Sequence, residues 1–176
     1  MSSNIKIAIS GKSGCGNTTV SAMVAEALDL TLINYTFHSI ATEMGIDFDE
    51  VCRRAEVDTS FDYRIDKRQV ELASSGNCVL GSRLAIWLLE DADLKFYLVA
   101  DPQTRAQRIQ QREGGEVAEV LVETQERDRR DRERYRKLYD IDTDQHEFVD
   151  MIIDAGRLDQ FQITDMIVKM AKDKIE

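Results

Sequence analysis

The chain has little of what marks secreted and membrane-spanning proteins. Its three cysteines, Cys15, Cys52 and Cys78, have spacings that fit neither a disulfide framework nor a zinc motif. No run approaches the ~20 apolar residues of a membrane span. The N-terminal MSSNIKIAIS lacks the longer apolar stretch and cleavage site of a signal peptide. We therefore expect a reduced, cytoplasmic protein.

Positive charge is also scarce. Lys and Arg number 23 against 33 Asp and Glu, which gives a formal net charge of -10. A protein that binds nucleic acid or an anionic membrane needs a basic surface, so neither partner is expected. A small anionic ligand remains possible because it responds to local charge. With 176 residues, 43% of them hydrophobic, the chain is long enough for one domain over 1–176, which we expect to be a monomer.

The apolar residues that are present form short runs alternating with helical patterns. Strands are predicted at 6–10, 32–34, 78–80, 94–100 and 149–153. Helices are predicted after Asn17 and over 38–75, 103–111, 117–139 and 159–175. This alternation is typical of an α/β fold, a five-stranded parallel sheet flanked by helices on both faces.

A glycine-rich segment, GKSGCGNTT, joins the first predicted strand to the first helix. It follows the phosphate-binding pattern G-x-x-x-x-G-K-[ST] except that Asn17 replaces the lysine. Backbone N–H groups and the helix dipole at such a turn attract phosphate, and the Thr18 hydroxyl suits Mg²⁺. We therefore predict an ATP site formed by Gly11, Lys12, Ser13, Gly14, Cys15, Gly16, Asn17, Thr18 and Thr19.

The substitution at Asn17 removes a positive charge where phosphoryl transfer accumulates negative charge. An amide donates hydrogen bonds but carries no charge, and losing one charged stabiliser commonly costs a factor of ~10² to 10³ in rate. Lys12, inside the same loop, is a candidate replacement. The alternative is that Lys12 is a solvated lysine that points away from the site.

The second unusual segment is QERDRRDRERYRK at 125–137, on the longest predicted helix. Arg127, Asp131 and Arg134 are spaced to share one helix face. Two arginines beside a carboxylate could bind a phosphate and also hydrogen-bond a base. The alternative is a solvated helix with ion pairs between successive turns.

Three further arginines, Arg105, Arg108 and Arg112, share a face of the preceding helix, just before Gly114 and Gly115. A cationic segment next to a glycine hinge is what a lid closing over a triphosphate requires.

Together these segments resemble the nucleoside monophosphate kinases and, more narrowly, the short archaeal-type cytidylate kinases. The similarity covers nearly the whole chain, and ERDxxDR at 126–132 is its most specific part. The other stretches that carry the resemblance are ISGKSGCGNTTVS, IDKRQ, LGSRLAIWLLEDADLKFYL, RAQRIQQREGG and ETQERDRRDRERYRKLYDID.

The resemblance implies a P-loop nucleoside kinase fold. It also implies that the protein uses Mg²⁺ and transfers the ATP γ-phosphoryl group to CMP or dCMP. It implies helices that bind the nucleoside monophosphate at about 35–75 and a lid at about 108–130. Arg83 and Arg127 match arginines that hold the CMP phosphate, and Asp131 and Arg134 match the pair that reads cytosine. Arg108 and Arg112 look like lid arginines over the ATP phosphates. Together with Lys12 from the loop, the predicted catalytic set is Lys12, Arg108, Arg112 and Arg127.

The sequence also departs from this family at three places. Asn17 is one. Gly81-Ser82 stands where Glu-Gly usually precedes the arginine. His38 lies nearest to the position of a further CMP-phosphate arginine, and we predict that it gives a weaker, pH-dependent contact with CMP in its place. Two alternatives therefore stay open. One is a catalytically impaired nucleotide-binding regulatory module derived from the kinase, and the other is a P-loop kinase for a different small acceptor.

Overall fold

The structure, a computed structural model, describes residues 4–175. Five strands are present: β1 (Lys6–Gly11), β2 (Thr31–Ile33), β3 (Cys78–Gly81), β4 (Leu94–Val99) and β5 (Met151–Asp154). Eight helices connect them: α1 (Asn17–Ala27), α2 (Phe37–Met44), α3 (Phe48–Val57), α4 (Ser60–Ala73), α5 (Ala85–Leu88), α6 (Pro102–Glu113), α7 (Val117–Tyr139) and α8 (Gln160–Ile175).

The strands form one parallel sheet in the order β2-β3-β1-β4-β5. This confirms the predicted five-stranded parallel sheet flanked by helices. Because β1 is central and is followed by the glycine-rich loop, the loop emerges at the carboxyl edge of the sheet between β3 and β4. Ligands of open α/β sheets bind at this edge, where neighbouring connections leave the sheet in opposite directions.

The buried residues form two layers, one on each face of the sheet. On one face, α1 and α8 pack on Ile7, Ile9 and Phe96. On the other face, α5 and the end of α4 cover Leu80 and Tyr97. A smaller cluster around Ile40 and Val51 ties α2, α3 and α4 together beside the sheet. The sheet and its two layers therefore form a rigid base for the loops at its carboxyl edge.

Several predicted boundaries are correct and others shift. The helix at 117–139 has the predicted bounds, and Pro102 opens α6 as its turn chemistry indicated, with Asp101 accepting a hydrogen bond from the Thr104 N–H at 2.9 Å. The predicted helical stretch 38–75 divides into three helices because Gly45, at φ 64°, ends α2 and Asp58 ends α3 in extended backbone. The fifth strand begins at Met151 rather than at residue 149.

One helix was missed by the sequence pattern, and the lengths of the helices also bear on membrane crossing. The four-residue helix α5 was not predicted, because a single turn is too short to show helical periodicity. Within residues 4–175, no helix has the length and apolar content that a membrane crossing requires.

Candidate active site

The glycine-rich loop joins β1 to α1 and folds back tightly over the sheet edge. Gly14 and Gly16 have φ of 85° and 87°, which L side chains rarely adopt. The Cys15 N–H donates to the Lys12 carbonyl oxygen at 3.1 Å, which closes the turn. Cys15 itself is buried, and burial raises the pKa of its thiol. Cys15 therefore anchors the loop in the core, while the backbone around it stays available for phosphate.

Gly14 also lies directly against α6. A Cβ atom at this position would lie 2.9 Å from both the Cβ and the carbonyl oxygen of Arg105. At Gly16 a Cβ would meet no heavy atom of the described chain within 4 Å. The two glycines thus share the same unusual φ but differ in what surrounds them.

This difference predicts unequal effects of alanine on stability. Gly16→Ala is expected to lower the free energy of unfolding by about 1–2 kcal/mol, the cost of a side chain in left-handed backbone. Gly14→Ala is expected to cost a further 1–3 kcal/mol or so because the loop must also move away from α6. Urea denaturation of both variants measures the difference. Equal destabilisation would mean that the contact with Arg105 is easily relieved.

Asn17, the residue in place of the lysine, begins α1 and faces the end of β3. Its Oδ1 accepts a hydrogen bond from the Ser21 Oγ at 3.2 Å. Gly81 approaches the same helix so closely that a Cβ there would lie 2.6 Å from the Ser21 Cβ. Glycine at position 81, where the resemblance expects glutamate, is thus explained by close packing of β3 on α1. Next to Asn17, the Thr18 and Thr19 side chains are exposed.

A cavity of about 480 Å³ lies on one side of the loop. It is bounded by Gly14, Cys15, Gly16 and Thr19, by Arg108 and Arg112 of α6, and by the start of α8. Arg108 donates to the Ala155 carbonyl oxygen at 2.6 Å and to the Gly14 carbonyl oxygen at 3.4 Å, which ties the loop to the segment after β5. Arg112 pairs with Glu113 at 2.6 Å on the surface. The structure thus places both predicted lid arginines at the loop.

Arg105, the third arginine of that face, has a different environment. Its side chain is almost fully buried and forms a bidentate pair with Asp128 of α7, with Nη2 2.6 Å from Oδ2. Its Nη1 also donates to the Ser13 carbonyl oxygen at 3.1 Å. Arg105 therefore fastens α6, α7 and the phosphate loop to one another rather than facing a ligand.

On the other side of the loop, charged residues of three segments meet. Arg83, which follows β3, pairs with Asp131 of α7. Asp131 also pairs with Arg134 at 3.2 Å, and Arg134 lies 3.5 Å from Asp62 of α4. These contacts bring together Arg83, Asp131 and Arg134, three of the residues that were predicted to bind CMP. We refer to Arg83, Asp131, Arg134 and Asp62 as the acceptor cluster.

The acceptor cluster has hydrogen-bonding capacity left over. The Asp62 Oδ2 and the Arg134 Nε are buried and have no hydrogen-bond partner within residues 4–175. Burial raises the pKa of Asp62. Asp62 was not singled out from the sequence, although its spacing from Asp66 places both on one face of α4. A polar ligand is one kind of partner that can satisfy such buried polar atoms.

Two other predicted acceptor residues lie elsewhere. Arg127 is one helical turn before Asp131, about 6 Å along α7, and lines a separate cavity with Gly114, Gly115 and Thr124. His38 is exposed on α2, and its ring stacks on Phe48 with centroids 3.8 Å apart. Within residues 4–175, no hydrogen bond or ion pair joins Arg127 or His38 to the acceptor cluster, so their contacts with CMP stay predictions.

Next to the acceptor cluster, Asp66 of α4 accepts a hydrogen bond from the Tyr139 hydroxyl at 2.6 Å. Burial raises the pKa of Asp66 to about 6 although this hydrogen bond opposes the change. The ordinary pKa of an aspartate is ~3.9. Between these two values the folded protein binds a proton that the unfolded chain releases, so ionised Asp66 lowers stability as the pH rises through this range.

Asp66→Asn is therefore expected to raise the free energy of unfolding at pH 8 by about 1–2 kcal/mol, because asparagine still accepts from Tyr139 but has no charge to bury. The gain should shrink as the pH falls through 6 and vanish below about pH 4, where the aspartate is protonated in both states. Denaturant titrations at several pH values measure it, with Asp165→Asn on the exposed face of α8 as the control. A gain independent of pH would contradict this interpretation.

Comparison with known proteins agrees with this arrangement. Residues 6–157 match the model of the cytidylate kinase-like family. Cytidylate kinase 2 of Borreliella afzelii is 46% identical over 167 residues, which cover 93% of this chain and 94% of that protein. Cytidylate kinase of Archaeoglobus fulgidus is 38% identical over 173 residues, which cover 97% and 96%.

Solved structures at lower identity support the fold. Shikimate kinase from Bacteroides thetaiotaomicron is 17% identical, with a TM-score of 0.64 over 96% of both chains. Deoxyadenosine kinase from M. mycoides with bound dATP is 16% identical, with a TM-score of 0.58 over 96% of this chain and all of that one. The family match spans well over half of the sequence, and the relatives align over almost all of it. The chain therefore belongs to the cytidylate kinase-like family.

Proposed function

We propose that the protein transfers the γ-phosphoryl group of ATP to CMP or dCMP. The observation that carries this proposal is the position of two sites on opposite sides of one phosphate loop. The larger cavity beside Arg108 and Arg112 accommodates the donor nucleotide. The acceptor cluster faces the opposite side, next to Gly11 and Ser13. Phosphoryl transfer requires a donor and an acceptor held next to each other and little covalent chemistry from the protein.

On the donor side, the backbone N–H groups of the loop and the start of α1 bind the triphosphate. Arg108 and Arg112 lie at the cavity wall and add positive charge where charge develops during transfer. The exposed Thr18 hydroxyl at the start of α1 is suited to hold Mg²⁺ together with phosphate oxygens and water, the oxygen ligands that this ion prefers. When bound, Mg²⁺ supplies neutralisation of the phosphate charge.

On the acceptor side, the two oxygens of Asp131 are divided between two arginines. One pairs with Arg83 and the other with Arg134. A phosphate that binds Arg83 releases one Asp131 oxygen, which can then accept a hydrogen bond from the amino group of cytosine. Asp62 and the Nε of Arg134 remain available for the rest of the nucleoside. In this way the residues that neutralise one another without a ligand become the residues that recognise CMP.

Coupled measurement of ADP release with ATP, Mg²⁺ and each acceptor in turn tests the proposal. We expect turnover with CMP and dCMP and much weaker turnover with UMP, AMP or a non-nucleotide acceptor. Turnover with another acceptor in preference to CMP would indicate a different P-loop kinase. Binding of CMP and ATP without any turnover would instead indicate the nucleotide-binding regulatory module.

A further inference from the structure

Lys12, the candidate loop cation, is held by a carboxylate of a distant segment. Its Nζ lies 3.0 Å from the Oδ1 of Asp144, in the connection between α7 and β5. Lys12 lines the small space next to Arg83 and Asp131, whereas the donor-side cavity is lined by other residues of the loop. The Lys12 ammonium group thus lies at Asp144, and Lys12 is not among the residues that line the donor-side cavity.

The carboxylate that holds Lys12 is itself fixed to α7. Its Oδ2 pairs with Arg132 Nη1 at 2.8 Å. The Asp144 backbone N–H donates to the Asp142 Oδ1 at 3.1 Å, and the Arg132 Nε donates to that same oxygen at 3.0 Å. Because Arg132 lies between Asp131 and Arg134 in sequence, the Asp144 turn is connected to the helix that carries the acceptor cluster.

The same turn is also fixed to the sheet. The His146 ring stacks on Tyr97 of β4 with centroids 3.9 Å apart, and the Tyr97 hydroxyl donates to the Thr143 carbonyl oxygen at 3.5 Å. Thr143 is buried. Contacts on both sides therefore present the Asp144 carboxylate at a defined position next to the phosphate loop.

The contact between Lys12 and Asp144 is nevertheless easy to exchange. The two side chains are 37% and 43% exposed, and ion pairs with this exposure contribute little to stability. A triphosphate carries several negative charges and competes strongly with a single carboxylate for the same ammonium group. The geometry thus combines a fixed carboxylate with a lysine that can leave it.

We propose that Asp144 is a positioning residue of the donor site: its carboxylate competes with the ATP phosphates for the Lys12 ammonium group, and ATP binding takes the lysine from it. This inference rests on the proposed function because it assigns Lys12 to the donor phosphates. Its consequence is that Asp144 weakens ATP binding, since the lysine must first be released.

A double-mutant cycle in ATP affinity tests the inference. Asp144→Asn is expected to tighten binding of ATP with Mg²⁺, without acceptor, by about 2- to 5-fold, the range that an exposed ion pair allows. In the Lys12→Ala background the same substitution should change the affinity by less than about 1.5-fold. The gain should also shrink at high ionic strength, because the pair is exposed. Isothermal titration calorimetry measures all four proteins.

Asp140→Asn is the matched control. It removes the same charge from the same connection at an exposed position with φ 56°, which asparagine tolerates. A gain in ATP affinity equal to that of the control, a loss of affinity, or a gain that persists without Lys12 would overturn the inference. ATP binding with the expected coupling but without CMP phosphorylation would overturn only the proposed function. Absence of ATP binding in every variant would overturn both.

Discussion

Lys12→Ala is expected to lower the turnover number for CMP phosphorylation by about 10²- to 10³-fold. The Asn17 side chain carries no charge, and its Oδ1 accepts a hydrogen bond from Ser21. Lys12 is the cation within the loop itself, and we propose that it leaves its exposed pair with Asp144 for the donor phosphates. Steady-state kinetics with saturating ATP and CMP measure the loss.

Asn17→Lys in the Lys12→Ala background provides the complementary experiment. It should restore part of the lost turnover, because it returns a positive charge to the position that the phosphate-loop pattern reserves for it. Lys12→Arg is the conservative control, which keeps the charge on a longer side chain. Turnover of Lys12→Ala close to that of the wild type would show that Arg108 and Arg112 suffice, and that Lys12 acts only in its contact with Asp144.

Asp131→Asn is expected to lower kcat/KM for CMP by about 10²-fold while changing kcat/KM for UMP much less, so that discrimination between the two bases narrows. In the proposed binding mode the carboxylate accepts from the cytosine amino group, whereas uracil has a carbonyl oxygen at that position. An asparagine amide can also donate, so it should favour uracil relative to the aspartate. Kinetics with both acceptors at fixed ATP give the ratio.

Glu133→Gln is the control for this substitution. It removes a carboxylate from the same helix, but Glu133 is exposed and pairs with Arg129 away from the acceptor cluster. We expect kinetics like those of the wild type. An equal loss of activity toward CMP and UMP in Asp131→Asn would mean that Asp131 only orients Arg83 and Arg134 and does not read the base.

The sequence was sufficient for the sheet, the phosphate loop and the long helix. Each of these depends on local patterns: short apolar strands, glycines at fixed offsets, and helical periodicity over 117–139. It also led to Arg83, Asp131 and Arg134, because the resemblance carried them over position by position. These residues do meet in the structure.

The sequence did not reveal which residues of distant segments contact these side chains. Lys12 and Asp144 are 132 positions apart, and Arg105 and Asp128 meet only because the chain reverses between α6 and α7. No local pattern distinguishes Arg105, which is buried and structural, from Arg108 on the same helix face. Likewise, Arg127 lines a cavity with Gly114 and Gly115 and lies apart from the acceptor cluster. This position depends on where α6 packs against α7, which helical periodicity cannot indicate.

The buried pair of Arg105 and Asp128 also attaches the α6–α7 hairpin to the phosphate loop. It is the point where the α6–α7 hairpin is bound to the Ser13 carbonyl oxygen of the phosphate loop. From Asp128 back to Val117, α7 extends about 16 Å, so a rotation of about 10° around that point displaces the Gly114–Gly115 end by about 3 Å. A rotation of the hairpin about this attachment would therefore move its glycine end much further than the attachment itself.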